Sequence, residues 1–151
     1  DYVLQVDADG QHIPSEIKKL IALILQDKAD VVIGSRYSKK KKHPSTTLLR
    51  SLASLLLSKT IYLLTGQKIN DTTSGFRIFN KQAAEFVTQN YPDDYPEVEV
   101  LVLLSQNGFR ISEVSVDMRS RKYGRSSINM LKSVYYIIKV IFASLMNKVR
   151  P

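Results

Sequence analysis

The sequence contains no cysteine. Disulfide bonds and thiolate metal sites are therefore excluded, and the composition fits a reducing compartment without proving one. No stretch resembles a signal peptide, no segment repeats, and no low-complexity linker divides the chain. With 151 residues, of which 44% are hydrophobic and 24% charged, the chain is long enough for one domain with a real core.

Acidic residues are fewer than basic ones. Lysine and arginine number 22 against 14 aspartate and glutamate residues, which gives a formal net charge of +8 at pH 7. Such an excess indicates contact with phosphates in nucleic acid, lipid headgroups or a phosphorylated substrate, or else a merely soluble basic surface. The densest run, Lys39–Lys42, precedes a His-Pro pair and predicts a solvated loop. Aromatic residues do not alternate with the basic ones, which argues against a nucleic-acid partner.

The first part of the chain predicts a βαβ unit. The chain does not begin with methionine, and Asp1 stands directly before the apolar run Tyr2–Val6. Because natural proteins seldom begin flush with a buried strand, we expect a fragment whose earlier part is missing. Pro14 suits the first turn of a helix whose apolar stripe reaches Ile24, and Val31–Ile33 predicts a second buried strand. This succession indicates a parallel sheet.

Helices and strands continue to alternate after the lysine run. The predicted elements are a helix over 46–64 that ends at Gly66, a strand at Phe76–Phe79, helices at Lys81–Gln89 and Pro96–Gln106, and a strand at Phe109–Met118. The apolar phase of the last strand jumps between Ile111 and Val114. This jump predicts a bulge near Glu113.

The most apolar helix is predicted over Ser127–Lys148. Lys132 and Lys139 share the side opposite its apolar stripe, and they interrupt the run before the roughly 18 apolar residues that a membrane span needs. A helix lying in the membrane interface, with its lysines towards the headgroups, fits this pattern. The alternative is packing against the domain or a second subunit, so the sequence leaves an oligomer open.

Two aspartates, Asp7 and Asp9, stand one residue apart at the end of the first predicted strand. On an extended backbone both carboxylates point the same way. At the carboxyl end of a parallel strand they can hold a hard divalent cation together with substrate phosphates. Gln11 adds a neutral oxygen at the same spacing, whereas His12 is expected to be structural, because such cations prefer oxygen ligands. The alternative is that both aspartates are turn or capping residues.

Four motifs in order along the chain together resemble glycosyltransferase family 2. They read VDADGQHIPSEI, ADVVIGSRY, DTTSGFRIF and EVSVDMRSRKYGRSS. In particular, the chain is similar to the dolichol-phosphate mannose synthase branch and its bacterial polyprenyl-phosphate relatives. The resemblance implies a GT-A fold, a Rossmann-like α/β domain with a mostly parallel central sheet flanked by helices, here incomplete at the N-terminus. Residues 1–126 would form the C-terminal part of the catalytic domain, and 127–151 the amphipathic terminal helix.

The resemblance also implies a nucleotide-diphosphate sugar donor, a Mg²⁺ or Mn²⁺ ion and transfer with inversion. Asp7, Asp9 and Gln11 match the family's metal-binding segment, where the cation bridges the donor's two phosphates and neutralises charge on the leaving group. Arg36 matches an arginine near the acceptor phosphate, unless it merely caps a strand at the surface. Asp9 and Arg121 are the candidate catalytic residues.

Two further matches concern phosphate binding. Arg50 and Ser54, one helical turn apart, match a pair that serves the lipid phosphate in the relatives. The run RKYGRSS resembles the family's R-x-x-G-x-S-K signature, with serine in place of the expected lysine. The resemblance thus implies a phosphate-binding loop of Arg121, Gly124 and Ser126.

Three acidic residues have two interpretations each. Asp71 either orients the donor sugar or the arginine cluster, or is structural. Glu97 and Glu99 fall where many relatives keep an acidic residue, which removes the proton when the acceptor is a hydroxyl. A phosphate acceptor is already ionised and needs no base, so the two glutamates would then be helix residues, one of them at most steering substrate.

These observations leave three hypotheses. The one we expect is transfer of a sugar from a nucleotide-diphosphate sugar to a polyprenyl phosphate, by a cytoplasmic protein peripheral to the inner face of the membrane. The second is transfer to a hydroxyl of a glycan or lipid, with Glu97 or Glu99 as the base. The third is a non-catalytic basic module that binds anionic membrane or nucleic acid and is indifferent to Asp7→Asn and to metal removal.

Overall fold

A computed structural model of the chain describes residues 1–37, 48–92 and 96–119, with the backbone alone for 48–54 and 96. Helices and strands alternate through this part of the chain, as expected for an α/β fold. The elements are β1 (Tyr2–Gln5), α1 (Ile17–Ile24), β2 (Val31–Ser35), α2 (Leu48–Thr65), β3 (Arg77–Asn80), α3 (Lys81–Gln89), α4 (Pro96–Gln106) and β4 (Ile111–Ser115). A single 3-10 turn, Pro14–Glu16, leads into α1.

The four described strands form one mixed sheet in the order β1-β3-β2-β4. Strand β3 is antiparallel to both β1 and β2, whereas β2 and β4 are parallel, so three of the four strands run in one direction. The predicted βαβ unit is correct in strand direction, but its two strands are not neighbours. Strand β3 lies between them because it is apolar on both faces, with Ile78 and Phe79 both buried, which suits a central strand.

Strand β1 was predicted to be buried, and that prediction is wrong for the described residues. Tyr2, Val3, Leu4 and Val6 are all between 37% and 53% exposed. The reason is its place in the sheet, since β1 pairs with β3 on one side and forms the outer strand among those described. By contrast, every residue of β2 is buried.

Helices cover both faces of the sheet. On one face, α1 packs through Leu20 and Ile24 against Val32, Phe76 and residues that follow β4. On the other face, α2, α3 and α4 pack against alternate residues of β2, Val31 and Ile33. The core is therefore two layers separated by the sheet, and neighbouring strand residues belong to different layers.

Strand β4 is regular, and the bulge predicted near Glu113 is absent. Its apolar pattern arises because helices cover both faces of the sheet. The strand pairs in regular parallel register with β2, from Val31 opposite Ile111 to Ser35 opposite Ser115. Ile111 packs in the layer of α2 and α4, and Val114 in the layer of α1. The jump in phase therefore reflects apolar contacts on both sides of one regular strand, with Glu113 between them.

The boundaries of α3 and α4 agree with the sequence prediction, and α2, described from Leu48, ends one residue after its predicted end. The side chain of Asn80 caps α3 by accepting a hydrogen bond from the Ala83 backbone N–H, at 2.8 Å. Gly66 follows α2 with a φ of +71°, a value that favours glycine. The helix predicted over 127–148 lies outside the described residues. No helix in the described ranges is long and apolar enough to cross a membrane.

Candidate functional site

Four segments meet at one edge of the sheet. Strands β1, β2 and β4 all end at this edge. Because β3 runs the opposite way, its amino end and the 66–76 loop before it arrive there as well. Crevices at the carboxyl ends of strands are where open α/β sheets bind ligands. The edge thus collects Asp7 after β1, Arg36 after β2, and Asp71 and Gly75 before β3.

The Asp7 carboxylate lies directly over Gly75, at a place that only glycine leaves open. A Cβ atom built on Gly75 would overlap both carboxylate oxygens of Asp7. The Asp7 side chain is 51% exposed, and its Oδ2 lies 3.6 Å from Nε2 of His12. The His12 side chain is only 7% exposed and stacks on Phe76, with ring centroids 4.8 Å apart. This placement agrees with a structural part for His12 and presents Asp7 to the crevice.

Asp9 and Gln11 form a turn that is tied to the segment after β4. Asp9 Oδ1 accepts a hydrogen bond from the Gln11 backbone N–H at 3.0 Å, and Gly10 between them has a φ of +73°. Gln11 accepts at its backbone carbonyl from the Arg119 N–H at 2.9 Å, and its side-chain amide donates to the Arg119 carbonyl at 3.4 Å. In this arrangement Asp9 supports the turn that follows Asp7.

Arg36 and Asp71 form a buried fork. Asp71 Oδ2 accepts from the Arg36 backbone N–H at 2.9 Å and from Nε at 2.8 Å, while Oδ1 accepts from Nη2 at 2.7 Å. Thr73 Oγ1 accepts a further bond from Nη2 at 3.1 Å. Asp71 is fully buried, and the Arg36 side chain is 17% exposed. A guanidinium held at three points is rigid, so its direction is set before any ligand arrives.

The electrostatics of the site favour a charged Arg36. Burial disfavours the cation, but the hydrogen bonds and charge of Asp71 outweigh burial, and the pKa of Arg36 lies above its ordinary value. The Asp7 carboxylate acts in the same direction. Asp7 lies over Gly75, and Arg36 is bonded to Asp71 and Thr73, so both side chains lie against the same loop.

A second arginine, Arg77, was missed by the sequence analysis. It is 1% exposed at the start of β3 and donates to the carbonyls of Ser74 at 2.7 Å and Thr72 at 3.2 Å. Burial lowers its pKa to about 10, although Glu97, Asp71 and Asp7 oppose that shift. The available signal was its position, since a charged residue inside an apolar strand is rarely buried without a specific reason.

Arg77 and Glu97 line a cavity of about 400 Å³. The cavity lies between β1, β3 and the helices α3 and α4, and Tyr91 also contributes to its wall. Glu97 and Glu99 both stand in the first turn of α4. Since residues two apart on a helix point to different sides, the structure gives them different surroundings. Glu97 is the candidate base that faces this cavity.

Glu113 was also missed as a site residue, and it anchors the loop that carries Asp71. Its carboxylate accepts from the Asn70 backbone N–H at 3.0 Å, the Asn70 side-chain amide at 2.6 Å and the Asp71 backbone N–H at 2.7 Å. From the sequence, Glu113 was predicted only as the position of a bulge. The signal for a further role was a carboxylate between Ile111 and Val114 in a strand that packs on both faces.

Several predicted site residues cannot be placed beside these. Arg50 and Ser54 belong to α2, but their side chains are outside the described part of the structure. The predicted phosphate loop of Arg121, Gly124 and Ser126 lies outside the described residues altogether. The roles predicted for these residues therefore stay predictions.

Within 1–37, 48–92 and 96–119, no group of three or more histidine, cysteine, aspartate or glutamate residues can hold a metal ion. A magnesium site shared with a diphosphate needs fewer protein ligands, since one or two carboxylates and substrate oxygens suffice. The half-exposed carboxylate of Asp7 at the strand end is a donor of that kind. The residues present fit a cation that arrives with its substrate.

Comparison with known proteins identifies the family. The family model described as Glycosyl transferase family 2 matches residues 1–88, which include the Asp7, Arg36 and Asp71 segments. The chain belongs to glycosyltransferase family 2. The mixed α/β sheet with helices on both faces is consistent with the GT-A fold that its motifs predicted.

Three curated relatives carry informative names. A UDP-N-acetylglucosamine–dolichyl-phosphate N-acetylglucosaminyltransferase of Methanococcus voltae is 33% identical over 77% of this chain and 47% of its own length. A polyprenol monophosphomannose synthase of Mycolicibacterium smegmatis is 29% identical over 84% of this chain and 49% of its own. A dolichyl-phosphate beta-glucosyltransferase of Trichomonas vaginalis is 28% identical over 91% and 45%. The chain spans about half the length of the curated relatives it matches.

Proposed function

We propose that the protein transfers a sugar from a nucleotide-diphosphate sugar to a polyprenyl phosphate. The names of three relatives support this, since each joins a sugar with a dolichyl or polyprenol phosphate. The observation that carries the proposal for this chain is the Arg36–Asp71 fork beside Asp7. One edge of the sheet thus holds an exposed carboxylate for the donor side and a fixed guanidinium for an acceptor phosphate.

Arg36 is the group that we assign to the acceptor. Nε and Nη2 of Arg36 already donate to Asp71 and Thr73, which leaves the two Nη1 hydrogens for phosphate oxygens, and Asp71 holds the side chain so that little freedom is lost on binding. Because a phosphate monoester is largely ionised at neutral pH, its oxygen attacks without a general base. In-line attack on the anomeric carbon inverts its configuration.

We further propose that a divalent cation, Mg²⁺ or Mn²⁺, binds at Asp7 with the donor diphosphate. When bound, such a cation neutralises charge on the departing nucleoside diphosphate. Asp9 helps by fixing the turn after Asp7, through its bond to the Gln11 backbone N–H. Gly75 leaves the space in which the Asp7 carboxylate lies.

The proposed location is the cytoplasmic face of the membrane, with the protein bound peripherally. Two sequence features support it: the net charge of +8, and the amphipathic pattern of 127–148 with Lys132 and Lys139 on its polar side. Flotation of the protein at its natural length with anionic and with neutral vesicles tests this. Binding to anionic vesicles that weakens with salt is expected, and equal binding to both would contradict it.

The transfer itself is tested with farnesyl phosphate as a short acceptor. Radiolabelled nucleotide-diphosphate sugars are offered one at a time to the protein at its natural length, and labelled product is extracted into organic solvent. We expect product with farnesyl phosphate and none with farnesol, lost on Asp7→Asn and on chelation of divalent cations. Transfer to farnesol but not to farnesyl phosphate would overturn the proposal.

One observation favours a second candidate, transfer to a hydroxyl. Glu97 lines the cavity that also contains the buried Arg77, so a carboxylate does face a possible acceptor space. If Glu97 is a base, Glu97→Gln lowers kcat about 100-fold or more, whereas Glu99→Gln does not. If the acceptor is a phosphate, both variants keep most of the rate. The pair of substitutions therefore separates the two reactions.

A further inference from the structure

Strand β4 carries a carboxylate, Glu113, between the apolar residues Ile111 and Val114. Ile111 and Val114 pack in the two core layers, while Glu113 between them accepts three hydrogen bonds. All three come from two consecutive residues, Asn70 and Asp71, at 2.6–3.0 Å. A side chain that binds two successive backbone N–H groups fixes the course of the loop there.

The loop fixed in this way is the one that orients Arg36. Asp71 has a hydrogen bond on each side. Its backbone N–H donates to Glu113, and its carboxylate accepts from Arg36. A chain of direct contacts therefore runs from β4 through Asp71 to the guanidinium. The loop lies between α2 and β3, and its backbone at Asn70 and Asp71 is thus bound to a strand more than 40 residues further along the chain.

The chemistry of these contacts calls for a carboxylate. Three converging N–H donors need acceptor lone pairs on two oxygens, which an ionised glutamate supplies. A glutamine of the same size would keep one oxygen but turn its own amide donor towards an N–H group. The change is nearly isosteric, so it disturbs the hydrogen bonds more than the packing.

We propose that Glu113 is a positioning residue for the acceptor phosphate, acting on Arg36 through the backbone and carboxylate of Asp71. The inference rests on the proposed function, because it takes Arg36 as the phosphate ligand. It adds a residue on β4 to a site whose other members follow β1 and β2 or precede β3. Glu113 itself touches no substrate.

Calorimetry with farnesyl phosphate tests the proposal on the protein at its natural length. Four proteins form a cycle: the wild type, Glu113→Gln, Arg36→Ala and the double variant. We expect Arg36→Ala to weaken binding by about 10- to 100-fold and Glu113→Gln by about tenfold. In the Arg36→Ala background, Glu113→Gln should change the affinity less than about twofold, since its effect passes through Arg36. In each variant the KM for the acceptor should rise by about the same factor as the affinity falls, and the KM for the donor should stay unchanged.

A matched control separates positioning from general loosening of the fold. Asp30 also accepts from an arginine backbone N–H and guanidinium, those of Arg110, but at the other end of β2. Asp30→Asn should leave the affinity for farnesyl phosphate unchanged. An equal loss in Asp30→Asn and Glu113→Gln would mean that destabilisation explains both, and would overturn the proposal.

The remaining outcomes are equally distinct. If Arg36→Ala weakens binding but Glu113→Gln does not, the positioning role is wrong and the proposed function stands. If Glu113→Gln weakens binding equally with and without Arg36, Glu113 acts by another route and the inference fails. If Arg36→Ala has no effect, the acceptor site itself is wrongly placed. Should Glu113→Gln not fold, Asn70→Ala removes one of the three bonds, and a two- to threefold loss that vanishes without Arg36 is expected.

Discussion

The two ends of strand β2 carry the same Asp–Arg arrangement. At the carboxyl end, Arg36 donates from its backbone N, Nε and Nη2 to Asp71, at 2.7–2.9 Å. At the amino end, Arg110 donates from the same three nitrogens to Asp30, at 2.8–3.0 Å. In both, one carboxylate oxygen accepts from the backbone and Nε, and the other from Nη2. Hydrogen-bond geometry alone does not distinguish them.

Their surroundings do distinguish them. The Arg36 and Asp71 side chains are 17% and 0% exposed, against 52% and 13% for Arg110 and Asp30. Arg36 lies within electrostatic range of Asp7, whereas Arg110 has only Asp27, 97% exposed, as a further ionic neighbour among the described residues. Exposed pairs are screened by water and salt. A mostly buried guanidinium, held by Asp71 and close to the loop that carries Asp7, is what makes one fork a candidate site, whereas the other is a partly exposed ion pair.

The largest expected difference between the two forks is in stability. Asp71→Asn removes the charge that compensates a mostly buried guanidinium, so we expect a loss of about 3–5 kcal/mol in the free energy of unfolding. Asp30→Asn leaves an arginine that water already solvates, and its loss should be much smaller. Denaturant unfolding of both variants measures the contrast. Equal losses would show that burial does not separate the forks.

The next difference is in acceptor binding. Arg36→Lys keeps a positive charge but loses the planar fork, so the acceptor KM should rise by about tenfold or more while the donor KM stays constant. Arg110→Lys is the matched change at the other end of β2 and should leave both values unchanged. Steady-state kinetics with farnesyl phosphate gives the comparison. A similar rise in both variants would contradict the assignment of Arg36.

At Gly75, which lies against the Asp7 carboxylate, we expect a smaller loss of stability than in Asp71→Asn. Gly75→Ala places a methyl group where the Asp7 carboxylate lies, so we expect a loss of about 1–3 kcal/mol in unfolding free energy. In an Asp7→Ala background the overlap is gone and the cost should shrink by more than half. Unfolding of the four proteins in this cycle gives the coupling. Strictly additive losses would mean that Asp7 is not over Gly75.

The smallest expected effect is a pH dependence of the more exposed fork, between Asp30 and Arg110. The hydrogen bonds and charge of Arg110 hold the pKa of Asp30 below its ordinary value. The stabilisation is therefore fully present above the unfolded pKa of about 3.9 and is lost as the pH falls through the lower folded pKa. The stability difference between wild type and Asp30→Asn should be constant above about pH 5 and shrink below about pH 4. A difference that grows on acidification would have the wrong sign.

The sequence predicted the elements that depend on local signals. It did not predict the contacts that join distant parts of the chain. Helices α3 and α4 were predicted at their observed boundaries because local signals, such as the cap at Asn80, define them. Arg36 and Asp71 were both singled out, but no local signal joins residues 35 apart. The position of β3 between β1 and β2 is likewise a long-range pairing. Arg77 drew no attention inside the predicted strand Phe76–Phe79, and Glu113 was noted only as the position of a bulge, because its partners Asn70 and Asp71 lie more than 40 residues away.

The central claim is that Arg36, held by Asp71, binds the acceptor phosphate. A crystal structure of the protein at its natural length with farnesyl phosphate tests it most directly. The account predicts phosphate oxygens at hydrogen-bond distance, about 3 Å, from the Arg36 guanidinium, with the Asp71 fork still intact. A phosphate bound elsewhere, with Arg36 in contact only with Asp71 and Thr73, would contradict it.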